Sequence, residues 1–126
     1  MRVQALHHVT ICVRDLGPAR RFYGEILGLE EIERAPFDFP GAWYALGDRQ
    51  LHLIEREDAR SFRGTRDVDS RDAHFALRVS DFDAALELLR ANGIEIRESR
   101  VNVTPWSQLY VSDPDGNIVE LNVDRL

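Results

Sequence analysis

Residues 8–23, HVTICVRDLGPARRFY, return in altered form at 74–89 as HFALRVSDFDAALELL. The offset of 66 residues carries His8 to His74, Val13 to Val79, Asp15 to Asp81, Leu16 to Phe82, Ala19 to Ala85 and Phe22 to Leu88. A second correspondence, LHLI around His52 and VELN around Glu120, has an offset of 68. The later copy has therefore gained two residues, and the turn-rich SDPDGN before Glu120 is the natural place for them. A period of half the chain means a duplicated supersecondary unit rather than a solenoid.

Each copy starts as a strand. Val9, Ile11 and Val13 fall on one face, with His8, Thr10 and Cys12 on the other. Phe75, Leu77 and Val79 oppose His74, Ala76 and Arg78 in the same way. The bulky apolar face is expected to cover a helix, so that the histidine face looks into a cavity. By this parity His7 belongs with Val9 and Ile11, and His8 is the better ligand candidate. A helix follows each strand. Ala19, Phe22, Tyr23, Ile26 and Leu27 form its apolar stripe in the first copy, with Asp15 as cap, Pro18 in the first turn and Gly28 past the end. In the second, Ser80 and Asp83 read as a capping box, Phe82, Ala85, Leu86 and Leu89 make the stripe, and Asn92-Gly93 stops it. Strand-like runs follow: LEEIER, AWYALG and QLHLIE, then IEIRES, SQLYVS and IVELNV. The order β-α-β-β-β, met twice, predicts an α+β fold of two tandem βαβββ modules. Together they would form a curved mixed sheet around a metal-site cavity. One domain, 1–126, then comprises modules 5–56 and 72–124 joined by the charged linker 57–71.

The chain has four histidines, and three of them, with Glu120, occupy the repeated strand positions. Neutral nitrogen and charged oxygen donors together suit a borderline divalent ion, so His8, His52, His74 and Glu120 are the candidate metal ligands. Glu120 lies between Val119 and Leu121, where a buried carboxylate needs a partner. Thr10 shares the ligand face. Trp43 and Trp106 sit in the irregular stretches APFDFPGAW (35–43) and SRVNVTPWSQ (99–108), which are placed to rim a pocket. Tyr110, in the strand-like run SQLYVS, joins them as a pocket candidate. The turn DPDGN at 113–117 lacks the ligand spacing of a calcium loop.

A net charge of −6 and a pI near 5.2 argue against nucleic acid as a partner. The single cysteine, Cys12, makes no internal disulfide, which fits a reducing compartment. No run reaches membrane-spanning length and the N-terminus reads as no signal peptide, so a cytoplasmic protein without membrane partners is expected.

The segments LHHVTICVRDLGPARRFYGEILGL, LHLIE, AHFALRVSD and LYVSDPDGNIVELNV resemble the vicinal oxygen chelate superfamily, from Leu6 to Val123. FDFPGAWYALGDRQLHLIE followed by DAHFAL is similar to its glyoxalase I-like (lactoylglutathione lyase-like) branch. The resemblance implies the glyoxalase-like fold and one divalent ion per site (Zn, Ni, Mn, Co or Fe(II)) on His8, His52, His74 and Glu120. The expected activity is that of a lyase or isomerase acting on a small carbonyl compound or its thiol adduct through a chelated enediolate. Glu120 would carry the proton, because many bacterial glyoxalase I enzymes have a glutamate where His52 stands and this chain does not. Other branches imply other outcomes. A fosfomycin-type thiol transferase would open an epoxide using His8, His74 and Glu120 alone. An extradiol dioxygenase would need the same three ligands, and a bleomycin-resistance-like binding protein would need none. A homodimer is expected, each site taking His8 and His52 from one chain and His74 and Glu120 from the other.

Overall fold

Period-two alternation in the sequence becomes two four-stranded sheets in the computed structural model, which describes residues 1–61 and 63–125. The chain divides into two compact units, Met1–Arg60 and Ser61–Leu126. In the first, β1 (His8–Val13) leads into α1 (Leu16–Arg20), which continues as a π-helical segment, Arg21–Ile26. Strands β2 (Glu31–Ile32), β3 (Gly41–Leu46) and β4 (Arg49–Glu55) complete it. The sheet order is β1-β4-β3-β2, with β1 parallel to β4 and the other pairs antiparallel. The second unit repeats this order: β5 (His74–Arg78), α2 (Phe82–Ala91), β6 (Ile96–Ser99), β7 (Trp106–Ser112) and β8 (Ile118–Asp124), arranged β5-β8-β7-β6. Only β5 and β8 are parallel there. The βαβββ modules are thus formed as expected, though LEEIER keeps only two residues in β2.

One face of each sheet is the core. In the first unit Ile11, Val13, Ala42, Tyr44, Leu51 and Leu53 are buried, together with Leu16, Ala19, Phe22, Tyr23 and Ile26 of the helix. Gly24 shows how close the layers lie, since a Cβ there would stand 3.5 Å from the Tyr44 ring. In the second, Leu109, Val111, Val119 and Leu121 are buried, as are Phe82, Leu86 and Leu89 of α2. Each such side chain contributes about 1.5–3 kcal/mol when fully buried, which fixes which face of each strand turns away from the helix.

The strand registers locate the inserted residues. Asp15 and Asp81, the two helix N-caps, are 66 apart, whereas Gly28 and Gly93, which end the helices with φ of 73° and 68°, are 65 apart. The first helix therefore holds one residue more, and the π-helical turn absorbs it: the amide of Leu27 donates to the carbonyl of Phe22 at 2.9 Å. His52 lies opposite Trp43, and Glu120 opposite Tyr110. Trp43 and Tyr110 are 67 apart and His52 and Glu120 are 68 apart, so the SDPDGN turn accounts for only one extra residue. The rest of the difference arises earlier, in the helix and the loop before β7.

One further expectation is corrected. The Ser80–Asp83 capping box is not formed. Asp81 is the N-cap, accepting from the Ala84 amide at 2.9 Å, while Asp83 pairs with Arg100 at 2.6 Å. Asp81 repeats Asp15, whose carboxylate accepts from the Gly17 amide at 2.8 Å. The unit boundary falls inside the charged segment 57–71, and part of that segment is packed. The Arg63 side chain is 2% exposed; its Nε meets Asp72 Oδ2 at 3.1 Å and its Nη1 donates to the Gly116 carbonyl at 2.9 Å. Gly116, at φ 89°, has no room for a Cβ, which would stand 2.5 Å from the Thr65 carbonyl oxygen. The start of the second unit is thereby fastened to the β7–β8 turn.

Candidate metal centre

In the second unit, parallel pairing sets His74 opposite Ile118 and Ala76 opposite Glu120, so both candidate ligands project from the face away from α2. His74 Nε2 stands 3.1 Å from Glu120 Oε2. The other ring nitrogen, Nδ1, lies 2.8 Å from the Asp72 carbonyl oxygen. A carbonyl only accepts, so Nδ1 carries a hydrogen; in the imidazolium Nε2 donates to the carboxylate, and in the neutral ring its lone pair faces Oε2. Two lone pairs at that distance repel unless a positive charge lies between them. A proton or a metal cation supplies it, and a carbonyl-oriented imidazole beside a carboxylate is a donor set that fits a divalent ion.

Glu120 itself is buried, at 5% exposure. Its Oε1 accepts from Gln108 Nε2 at 3.0 Å and from Asn122 Nδ2 at 2.9 Å, leaving Oε2 for His74. Gln108 is oriented in turn, because its Oε1 accepts from Asn102 Nδ2 at 3.0 Å. Burial pushes the Glu120 pKa up, but the hydrogen bonds from Asn122, Gln108 and His74 and the His74 charge outweigh it, and the net direction is down. The group is held as an anion. Tyr110, buried opposite Glu120, meets the His74 ring edge-on at 5.5 Å. Its pKa is raised by burial and then by the Glu120 charge. Trp106, half-buried at the start of β7, has an Nε1–H with no partner among the described residues, and Arg78 lies 5.9 Å from its ring.

The first unit brings together His8 and His52, whose rings stack at 4.1 Å. Trp43 stacks on the other side of His52, also at 4.1 Å and only 6° from parallel. Thr10 is the β1 residue opposite His52 and is exposed. His52 is buried, and its Nε2 is 2.7 Å from Gln50 Oε1. Its pKa is lowered, first by burial and then by His8, His7 and Arg34. The parity expectation for His7 does not apply. β1 starts at His8, and the His7 ring turns so that its Nδ1 lies 2.7 Å from His8 Nδ1. Cys12 is a half-buried free thiol.

The sequence candidates thus form two pairs, His8 with His52 and His74 with Glu120. Among the described residues no three or more His, Cys, Asp or Glu side chains gather as a metal-binding group. Gln50, Gln108, Asn122 and Asp72 were missed, yet each is two positions from a chosen residue. In a strand that spacing puts Gln50, Gln108 and Asn122 on the same face as His52, Tyr110 and Glu120.

Two βαβββ units with imidazole and carboxylate donors at matching strand positions define a glyoxalase-like domain. The chain belongs to the Glyoxalase/Bleomycin resistance protein/Dioxygenase superfamily, whose family profile matches residues 5–121. It is 30% identical over 124 residues to the glutathione transferase FosA of Serratia marcescens, covering 98% of this chain and 84% of that protein. It is 24% identical over 119 residues to a probable lactoylglutathione lyase of Vibrio parahaemolyticus, covering 90% and 86%. The fold superposes on the crystal structure of a glyoxalase/dioxygenase from Nostoc punctiforme with a TM-score of 0.81, at 24% identity, covering 98% of this chain and 92% of the other. Relatives in one superfamily thus carry different reactions, and the chain's own residues must discriminate among them. Among the described residues no helix is long and apolar enough to cross a membrane.

Proposed function

We propose that the protein is a divalent-metal-dependent transferase that adds a thiol to a small electrophile of the epoxide type. In this reading His8, His74 and Glu120 hold the ion and His52 stays off it. The observation that carries the reading is the state of the two remaining candidates. Glu120 Oε1 accepts two hydrogen bonds, from Gln108 and Asn122, and the Glu120 pKa is lowered, while His52 has Nε2 against Gln50.

A lyase or isomerase needs a base that takes a proton from carbon and returns it, with a pKa near the working pH. Glu120 is shifted away from that range, and its Oε1 is held by Gln108 and Asn122. Thiol addition makes no such demand. The sulfur–carbon bond forms as the carbon–oxygen bond of the ring opens, and the freed oxygen takes the proton that the thiol gave up. A bound divalent ion (Zn, Ni, Mn, Co or Fe(II)) would polarise the substrate oxygen and stabilise its developing charge. Glu120 serves as a fixed anionic donor, His74 as a donor oriented by Asp72, and Thr10, Trp43, Trp106 and Tyr110 as the groups that line the substrate. The similarity to the glutathione transferase of Serratia marcescens supports this choice. We further propose a homodimer with two equivalent centres, each using unit 1 of one chain and unit 2 of the other. Sedimentation giving twice 14.5 kDa is the expected result.

Glu120→Gln decides the reaction class. It keeps one donor oxygen and removes the basicity. With metal added until the site is refilled, most of the rate of glutathione addition to an epoxide should return, and no solvent deuterium should enter a substrate carbon. A loss of roughly 10²–10⁴ in kcat that metal does not repair, with deuterium exchange into a carbonyl substrate, would reassign the protein as a proton-shuttling lyase or isomerase.

A further inference from the structure

Arg34 lies in the first unit, between β2 and β3, and its guanidinium is only half used. Nη1 donates to the Phe39 carbonyl at 2.9 Å. Nε and Nη2 are buried, and neither has a hydrogen-bond partner among the described residues. These two nitrogens form one edge of the planar group, and their N–H bonds point the same way. Such an edge matches two oxygens of a single oxyanion. The same unit shows that match completed: Arg56 Nε and Nη2 donate to the two carboxylate oxygens of Asp58 at 3.1 and 3.0 Å. Arg34 has the edge without the acid. A buried, unpartnered cationic donor pair is expensive, and its persistence calls for a partner that arrives from outside.

Two aromatic rings and a glycine surround the guanidinium. The Arg34 Cζ is 4.9 Å from the ring centroids of both Phe37 and Phe39, which are 5.0 Å from each other. Both rings are exposed, at 49% and 38%, and neither belongs to the core. On the strand side Gly41 leaves the space, since a Cβ there would stand 2.8 Å from Arg34 Nε. Phe37 lies 6.2 Å from Trp43, and Trp43 stacks on His52. A row of aromatic faces therefore runs from the guanidinium to the imidazole pair.

We propose that the Nε/Nη2 edge of Arg34 is an oxyanion subsite, taking a carboxylate or phosphonate group of the small-molecule substrate while Phe37 and Phe39 cover it. The aromatic row would support the middle of that molecule. The assignment to a substrate rests on the metal-centre reading; the anion binding itself does not.

The test uses the full-length protein, with acetate and methylphosphonate as separate probes, followed through the Arg34 Nε–H resonance in ¹H–¹⁵N spectra. Arg34→Lys identifies that resonance and keeps the charge while removing the edge. Saturable shifts with either probe are expected, and which anion saturates first distinguishes a carboxylate from a phosphonate ligand. In Arg34→Lys, binding followed by Trp43 fluorescence should weaken about tenfold or more. A resonance unmoved by both anions, or equal affinity in Arg34→Lys, overturns the subsite. Metal retention measured on the same samples keeps the two ideas apart. Protein that binds anions but no metal loses only the metal-centre reading; protein that binds metal but no anion loses only this one.

Discussion

His74 Nε2 and Glu120 Oε2 face each other at 3.1 Å while the Asp72 carbonyl fixes the opposite side of the same imidazole. A positive charge between them removes the repulsion, and a divalent ion bound there would compete with a proton for that place. Adding Zn or Mn to chelator-treated protein should therefore raise the thermal midpoint. The stabilisation is about 2.7 kcal/mol when the free ion is at 100 times its Kd. His74→Ala should lose it. A full thermal shift in His74→Ala would show that the ion binds elsewhere.

His7 and His8 are adjacent in sequence but differently placed, since β1 starts at His8. His8 is the strand residue stacked on His52, and His7 reaches it through a 2.7 Å contact between the two Nδ1 atoms. That contact orients the His8 ring from outside the strand. His8→Ala should abolish metal retention, whereas His7→Ala should weaken affinity by roughly tenfold, the lower end of what orienting partners contribute. Identical affinities in wild type and His7→Ala would make the contact incidental.

The capping correction offers a test that is independent of function. Asp81 accepts from the Ala84 amide, and Ser80 does not cap. Asp81→Ala should lower unfolding free energy by about 1 kcal/mol, and Ser80→Ala should leave it nearly unchanged. The reverse ranking in urea denaturation would restore the capping box.

How much was legible follows from the range of the interactions. Strand parity put His8 with Thr10 and Cys12, and His74 with Ala76 and Arg78, because alternation is local and the core face is strongly apolar. The repeat located both donor pairs, since the offsets of 66 and 68 are written in the chain. The π-helical turn was hidden because one added residue leaves the apolar stripe looking helical. Ser80 and Asp81 are both good caps one residue apart, and only the backbone decides between them. Gln50, Gln108 and Asn122 were within reach of parity, but that they clamp His52 and Glu120 depends on side-chain rotamers and, for Gln108, on cross-strand register. Arg34 was out of reach altogether, because its unused edge depends on the Phe39 carbonyl, the two rings and the missing Cβ of Gly41 acting together.

His52 sets the last prediction. Its pKa is lowered by burial first, then by His8, His7 and Arg34, from an ordinary value of 6.5. A base with a depressed folded-state pKa takes up its proton more readily in the unfolded chain. Stability from this group is therefore complete above pH 6.5 and declines as the pH falls toward the folded pKa. Glu120 has the same sign in a lower window. Its folded pKa is below its ordinary 4.5, so its contribution persists through mild acid and disappears only as the pH falls through that lowered value. In chelator, acidification from pH 7.5 to 5.5 should lower the urea midpoint through His52 while Glu120 remains ionised. His52→Phe keeps a flat ring between Trp43 and His8 and has nothing to protonate, so its midpoint should change much less over that interval. An equal decline in His52→Phe would mean that the acid sensitivity arises at another group.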